Sequence, residues 1–463
     1  TYVKYVDTGY FPQARRSFQV TRCNQCEDPP CVAACPTAAM HQRPDGIVDF
    51  DKSICIGCKA CIAACPYDAI FINPEDHSAE KCNFCAHRLD VGLEPACVVV
   101  CPTQALMVGD MNDPLSEVGR IIHRDAVAVR RPEKETHPKL YYKGADQVTL
   151  DPLAARRPDG GLFMWSEQGN VSHQVPSGHP GPHNSSAAAV LSYDIPHRAP
   201  WDWRVSAYTF TKSIAAGAYL MPLLLGALGL LPLTTDLWGL QAPIVAMIGL
   251  MVTGALLVWD LEHPERFWMV LAKPQWRSWL VRGGFIITGY GGLLAAHLAA
   301  TFAGRADMTP MLGWLGAPLA AMTAMYTAYL FAQARARDLW QSPLLPAHLL
   351  VQSLVAGGAV LLLLTGGDAP GSVTAAFQLA LAAHLLLVAG EASMGHPTAH
   401  AALAARAMTK GAYAHFFWVG LALGVVGLVF AASTPAIAAG AALGALLLYE
   451  HAFVQAGQSV PLA

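Results

Sequence analysis

The alternation of apolar and polar residues divides this 463-residue chain into three stretches of different character. From Trp203 onward, apolar windows follow one another with few charges between them. A helix needs about 20 such residues to cross a bilayer. Spans are predicted near residues 206–232, 238–259, 281–303, 311–333, 345–366, 371–391, 412–432 and 436–455. The uncharged run from Gly411 to Tyr449 is too long for one crossing, and "ASTPA" (Ala432 to Ala436) divides it. Between about Val108 and Trp201 the composition shifts to Pro, Gly, His and Ser, as in "SHQVPSGHPGPHNSS" (Ser172 to Ser186). No apolar period survives there, which predicts an extended connector or surface-wrapping arm. His173, His179 and His183 lie in this Pro- and Gly-rich run, where a solvated loop is preferred to a metal site.

Composition agrees with a membrane domain, since 54% hydrophobic and 14% charged residues is too apolar for a soluble globule. The formal net charge of -3 and the lack of a long basic run give no reason to expect a nucleic-acid partner. Eight spans put both termini on one side. That side carries Arg266, Lys273, Arg277, Arg282, Arg335, Arg337, Arg406 and Lys410 in its loops, against Arg305 on the other. The positive-inside rule then places the N-terminal domain on the cytoplasmic face of the inner membrane, although folded exported modules can override loop charge.

All 12 cysteines fall between Cys23 and Cys101, in three runs. These are Cys23, Cys26, Cys31 and Cys35 before Pro36; Cys55, Cys58, Cys61 and Cys65 before Pro66; and Cys82, Cys85, Cys97 and Cys101 before Pro102. The second has the bacterial ferredoxin spacing, in which three cysteines bind one [4Fe–4S] cube and the fourth reaches another. A tight loop lets three thiolates converge, the following helical turn points the last sulfur away, and proline ends that turn. Disulfides or structural zinc would leave the repeated fourth cysteine and proline unexplained. The fold class predicted is an α+β ferredoxin-like iron–sulfur domain (residues 1–140), an extended linker (141–203) and an all-α polytopic membrane domain of eight transmembrane helices (204–463).

"CNQCEDPPCVAACPT", "CIGCKACIAACPYDA" and "KCNFCAHRLDVGLEPACVVVCPTQAL" resemble the four-cluster ferredoxin subunits of complex iron–sulfur molybdoenzymes such as polysulfide and dimethyl sulfoxide reductases (the NrfC and polysulfide reductase B type). The resemblance implies one cube on Cys23, Cys26, Cys31 and Cys65, and another on Cys55, Cys58, Cys61 and Cys35. The family's first cysteine run would precede Thr1, so Cys82, Cys85, Cys97 and Cys101 lack their expected partners. Because the chain starts with Thr, an upstream continuation is expected, giving four clusters; otherwise the third run closes a cluster of its own, giving three. "ARRSFQV" (Ala14 to Val20) is similar to a twin-arginine export signal, but Cys23 follows without an apolar stretch, so Arg15 and Arg16 are read as surface charges.

"PWDWRVSAYTFTKSIAAGAYLMPLLL", "WDLEHPERFWMVLAKPQWRSWLVRG" and "YTAYLFAQARARDLWQSPLLP" resemble quinone-reactive membrane subunits of the NrfD and polysulfide reductase C type. Such a subunit holds no haem and exchanges electrons with a quinone, menaquinone or ubiquinone, on the ferredoxin side. Intramembrane ionisable groups point to the same region. The candidate quinone-site residues are Tyr208, Lys212, Asp260, His263, Arg266 and Tyr326. Competing readings are a snorkelling Lys212, salt-bridge roles for Asp260 and His263, and aromatic packing for Tyr326 and Tyr329. His297, His348, His384, His415 and His451 are read as interhelical hydrogen-bonding groups rather than haem ligands, and Glu391 and Glu450 as span-end groups. The function predicted is an electron-transfer subunit linking a molybdopterin-type catalytic partner to the quinone pool, with substrate chemistry on that partner. The alternative is a redox-linked proton-translocating module, which a continuous polar path across all eight spans would favour; polar groups confined to the ferredoxin side, as they are read here, favour simple quinone exchange.

Overall fold

The computed structural model describes residues 1–9, 14–151, 153–156, 189–366 and 370–462. His173, His179 and His183 lie outside them. The chain forms two compact units, Thr1–Cys55 with Ala60–Arg198 and Pro461–Ala463, and Ile56–Lys59 with Ala199–Val460.

In the first unit, β1 (Tyr2–Thr8) pairs antiparallel with β2 (Arg15–Thr21), Tyr2 opposite Thr21. Arg15 and Arg16 are strand residues, and the Arg16 guanidinium grips Asp7 across the hairpin at 2.6 and 2.7 Å, as surface charges do. Two similar halves follow. Helix α1 (Pro30–Ala34) precedes the hairpin of β3 (Met40–Gln42) and β4 (Val48–Phe50). Helix α2 (Ala60–Ala64) precedes that of β5 (Ile70–Ile72) and β6 (Ala79–Lys81). Pro30 opens α1, where its missing N–H costs nothing, and the prolines after Cys35 and Cys65 stop both helices after five residues. The core they close is lined with sulfur: Cys26, Cys31, Cys35, Cys55, Cys61 and Cys65 pack with Met40, Val48, Ile62, Tyr67 and Ile70.

Short elements complete the unit: α3 (Ala86–Leu89), α4 (Ala96–Val99), α5 (Glu117–Arg124), β7 (Val127–Ala128), β8 (Tyr142–Lys143), α6 (Gln147–Leu150) and β9 (Val190–Tyr193). Ser116 caps α5 by accepting from the Gly119 N–H at 2.8 Å. Residues 136–139 wrap the first cysteine loop: the Asp28 and Glu27 N–H groups donate to the Thr136 and His137 carbonyls, and the Lys139 N–H to that of Asn24. The predicted linker therefore differs from the structure in its described parts. Strand β9 adds to the edge of β1, with Tyr5 opposite Tyr193, and this unit runs to Arg198. A four-residue strand carries too little alternation to stand out in the sequence, yet it pairs a strand edge that would otherwise stay open.

The second unit is helical. Asp202 caps α7 (Trp203–Ala227) through the Arg204 N–H at 2.8 Å. A wide turn, Thr235–Gln241, leads into α8 (Ala242–Trp259); then come the short α9 (Met269–Ala272), α10 (Trp279–Phe302), α11 (Thr309–Gln333), α12 (Leu345–Thr365) and α13 (Gly371–Ser393). Helices α14 (Ala399–Thr409) and α15 (Ala414–Phe430) meet at a 68° bend, and α16 (Pro435–Gln458) ends the bundle. Among the described residues seven helices are long and apolar enough to cross a membrane, and eight if the bent pair counts as one span. The window predicted at 412–432 is the 17-residue α15, the second member of the bent pair.

Small residues set the helix spacing. A Cβ on Gly217 of α7 would lie 1.8 Å from the Ser353 carbonyl oxygen, and one on Gly357 of α12 2.1 Å from that of Gly217. Gly420, Gly424 and Gly427 form a buried stripe on α15, where Cβ atoms on Gly420 and Gly427 would press on the Ala445 and Ala438 carbonyls of α16. Such close approach is what drives helix association in lipid. Large apolar residues such as Met251, Leu379, Leu386 and Val429 face outward, as lipid-facing positions do. Trp201 stacks on Trp340, which stacks on Phe331, and the Gln458 side chain accepts from the Trp201 N–H at 3.1 Å.

Candidate functional site

Cys23, Cys26, Cys31 and Cys65 line one cavity, together with Asn24, Val48, Pro66, Tyr67 and Ile70. The two halves of the fold each contribute to it: the loop before α1 and that helix's first turn supply the first three sulfurs, and the end of α2 the fourth. No disulfide joins any of the twelve cysteines. Among the described residues no three His, Cys, Asp or Glu side chains are arranged to hold a single metal ion. Thiols spaced around a cavity fit a cube better than a tetrahedral zinc.

Burial pushes the Cys26 thiol up to about 12 and Cys65 up to about 11, and raises Cys31 well above its usual value. Such thiols become thiolates only when metal charge replaces the proton. Backbone N–H groups already aim at the fourth sulfur of the first and third runs: Met40 to Cys35 Sγ at 3.3 Å, and Ala105 to Cys101 Sγ at 3.2 Å. The N–H of Leu106, with those of Ala105 and Thr103, holds the Cys101 thiol below its usual range. Cys82 and Cys85 are half-buried, and Cys97 is exposed, with the Arg22 guanidinium 3.8 Å from its sulfur.

The loop Ile56–Lys59 belongs to the helical unit. Its turn needs Gly57 at φ +67°, where a Cβ would meet the Glu262 side chain at 2.4 Å. The His263 and Glu262 N–H groups donate to the Ile56 and Gly57 carbonyls, and Trp201 Nε1 donates to the Cys58 carbonyl at 3.1 Å. Lys59 Nζ reaches the Asp260 carbonyl at 2.8 Å, its carboxylate at 3.4 Å and Glu262 at 3.2 Å. Burial pushes the Asp260 carboxyl up to about 6, with Lys59 pulling the other way.

Of the predicted quinone-site residues, the structure gathers four. Lys212 is fully buried and donates to the Ala324 carbonyl at 2.8 Å and Thr327 Oγ1 at 2.9 Å, so it does not snorkel. Its ammonium lies 5.4 Å from the centre of the Tyr326 ring, for which Gly283 of α10 makes room. The buried Tyr208 hydroxyl stands beside that of Thr327 without a well-aligned hydrogen bond, and its electrostatic neighbours are Tyr326, Asp260 and Glu450. His263 and Arg266 belong elsewhere. Helix α8 ends at Trp259, so Asp260 and His263 do not share a helix face; His263 pairs with Glu265 at 3.0 Å and Arg266 with the same carboxylate at 3.6 Å. Tyr329 is partly exposed and stacks on Trp279 at 4.4 Å.

Glu450 is not the solvated span-end group expected from its position. It sits inside α16, 3% exposed, and faces Lys212 and the hydroxyls of Thr209 and Ser213. Those hydroxyls donate to the Ser206 and Thr209 carbonyls, and neither Glu450 oxygen has a hydrogen-bond partner among the described residues. The adjacent Tyr449 points to α13, donating to Glu391 at 2.6 Å, and packs against His384, which bonds His348 at 3.0 Å. A further polar pair, Tyr219 and His297 at 2.9 Å, lies toward the opposite ends of α7 and α10. The sequence shows Glu450 as one acid among apolar neighbours; only the helix rotation reveals that it turns inward.

Comparison with known proteins divides the chain at the same place. Residues 14–111 match the 4Fe-4S dicluster domain, and residues 193–447 match the family described as Polysulphide reductase, NrfD. The B subunit of tetrathionate reductase from Salmonella typhimurium is 47% identical over 147 residues, which is 31% of this chain and 58% of that protein. Protein NrfC of Escherichia coli is 40% identical over 143 residues, 30% of this chain and 64% of that one. The B subunit of polysulfide reductase from Wolinella succinogenes is 45% identical over 133 residues, 28% of this chain and 70% of that one. The match thus spans about three fifths of the length of the tetrathionate reductase protein. One polypeptide joins an iron–sulfur electron-transfer domain to a polytopic helical domain, and over more than half its length it belongs to the polysulphide reductase NrfD family.

Proposed function

We propose that this chain carries electrons through [4Fe–4S] cubes between a molybdopterin-type catalytic partner and a quinone bound among its helices. The cubes, when bound, supply one-electron transfer. Cys23, Cys26, Cys31 and Cys65 hold one of them, and Cys55, Cys58, Cys61 and Cys35 a second. The observation that carries the reading is the loop bearing Cys58, which hydrogen-bonds to the segment Asp260–His263 and to Trp201. That this loop and the candidate quinone residues belong to one compact unit supports the reading.

A quinone gaining two electrons takes up two protons, so it needs donors at its carbonyls and a proton source beside them. Tyr208 offers a hydroxyl without an aligned partner, and Lys212 and Tyr326 flank it. Asp260 and Glu450 are the acids within reach of that cluster. The test is reduction of the cubes by a menaquinol or ubiquinol analogue in anaerobically purified protein, followed by electron paramagnetic resonance, with molybdenum and tungsten analysis of co-purifying partners. Quinol-driven reduction that Lys212→Met slows at least ~10-fold, at unchanged cluster content, is the expected result; equal rates in the variant move the pocket elsewhere.

The polar pair Tyr219 and His297 favours a second reading, redox-linked proton translocation, because it extends buried polar groups toward the far ends of α7 and α10. Proton uptake into vesicles during quinol oxidation, abolished by His297→Leu, would support it over simple quinone exchange.

A further inference from the structure

The guanidinium of Arg130 has no solvent exposure, and none of its three nitrogens has a hydrogen-bond partner among the described residues. An unpaired, desolvated charge costs several kcal/mol, so a fold keeps one only where something of opposite sign stands nearby. Among the described residues no carboxylate bonded to it plays that role. The groups facing Arg130 are the phenols of Tyr2 and Tyr142, neither ionised at neutral pH, the Arg131 guanidinium, and the Cys65 thiol. Arg131 is separately paired, with Glu133 at 3.1 Å and the Pro66 carbonyl at 3.3 Å. Arg130 also lies 5.9 Å from the centre of the Tyr67 ring, which lines the four-cysteine cavity.

Lys81 stands on the other flank. It is buried, donates to the carbonyls of Val48 and Cys82, and acts electrostatically on Cys31, while Val48 lines the same cavity. Two backbone carbonyls accept from it, and among the described residues no carboxylate forms an ion pair with it. Two buried cations therefore flank one set of four cysteines.

Resting on the reading that Cys23, Cys26, Cys31 and Cys65 hold a cube, we propose that Arg130, with Lys81, is a redox-tuning residue that raises the reduction potential of that cluster above what its thiolates alone would give. A cube held by four thiolates is anionic, and one added electron makes it more so. Fixed positive charge in a low-dielectric setting stabilises the reduced form more than the oxidised one. The guanidinium cannot relieve its burial by losing a proton, so the bias holds across physiological pH.

The test is a dithionite titration with mediators on the full-length protein, prepared without oxygen and followed by electron paramagnetic resonance. The signal lost or altered in Cys26→Ser identifies the cube. Arg130→Met should shift that signal to lower potential, Lys81→Met should do the same, and Arg130→Lys, which keeps the charge, should leave it within the scatter of repeated titrations. An unshifted midpoint in Arg130→Met, or equal shifts in Arg130→Met and Arg130→Lys, overturns the assignment. Loss of the cluster in both Arg130 variants also overturns it, because the residue would then serve packing. If the wild-type protein yields no cubane signal altered by Cys26→Ser, it is the ligand assignment that fails.

Discussion

At the scale of single residues, the molecule is marked by charges placed where solvent cannot reach them. His197 is only partly shielded, but it is paired with two carboxylates and its consequence can be measured. Burial works against its protonated form, but hydrogen bonds to Asp194 and Asp68 prevail and push it up to about 9. A histidine raised from its ordinary value stabilises the fold fully below about pH 6.5 and loses that contribution as pH rises through about 9. The ring is partly exposed, so the effect should amount to about 1–2 kcal/mol. His197→Gln should therefore lower the temperature at which the cluster absorbance bleaches by several degrees at pH 6.5, and by little at pH 10. In the helical unit, Glu450→Gln should slow quinol-linked turnover at least ~10-fold while the cubane spectra stay unchanged. Wild-type rates would leave Glu450 a structural acid. The cysteine runs were legible because thiolate spacing is a local code. Glu450 and Arg130 were not, because their meaning depends on which way a helix or an arm turns and on neighbours distant in the chain.

Among the helices and strands, the spans were readable from apolar length alone, since every backbone group in lipid must be satisfied within its own helix. Their ends were less so. The break between α14 and α15 falls at "TKGAY" (Thr409 to Tyr413), where a lysine and a glycine interrupt an otherwise uniform run. Strand β9 was lost inside a connector because its pairing partner lies some 185 residues earlier. The crossing of α7 and α12 gives an element-scale prediction. Gly217→Val must push away a backbone in direct contact and should destabilise the bundle by about 3 kcal/mol or more, seen as loss of the monodisperse peak in detergent. Gly292→Val, on α10 where a Cβ would meet nothing, is the control and should leave that peak intact.

For the molecule as a whole, loop charge bears on which way it sits in the membrane. Eight basic residues on one set of loops against one on the other predict that a fluorescent protein fused after Ala463 matures in the cytoplasm, while an alkaline phosphatase fused there stays inactive. The opposite pair of readings would place the C-terminus outside. The stacked indoles of Trp201 and Trp340, 5.6 Å apart with Gln458 bonded to the first, bring residues from before α7, beside α12 and at the end of α16 into one aromatic pile. Transition dipoles that close interact strongly, so the protein carries its own optical gauge. A paired band in its near-ultraviolet dichroism should fade if those three places drift apart, and no label would be needed to watch it.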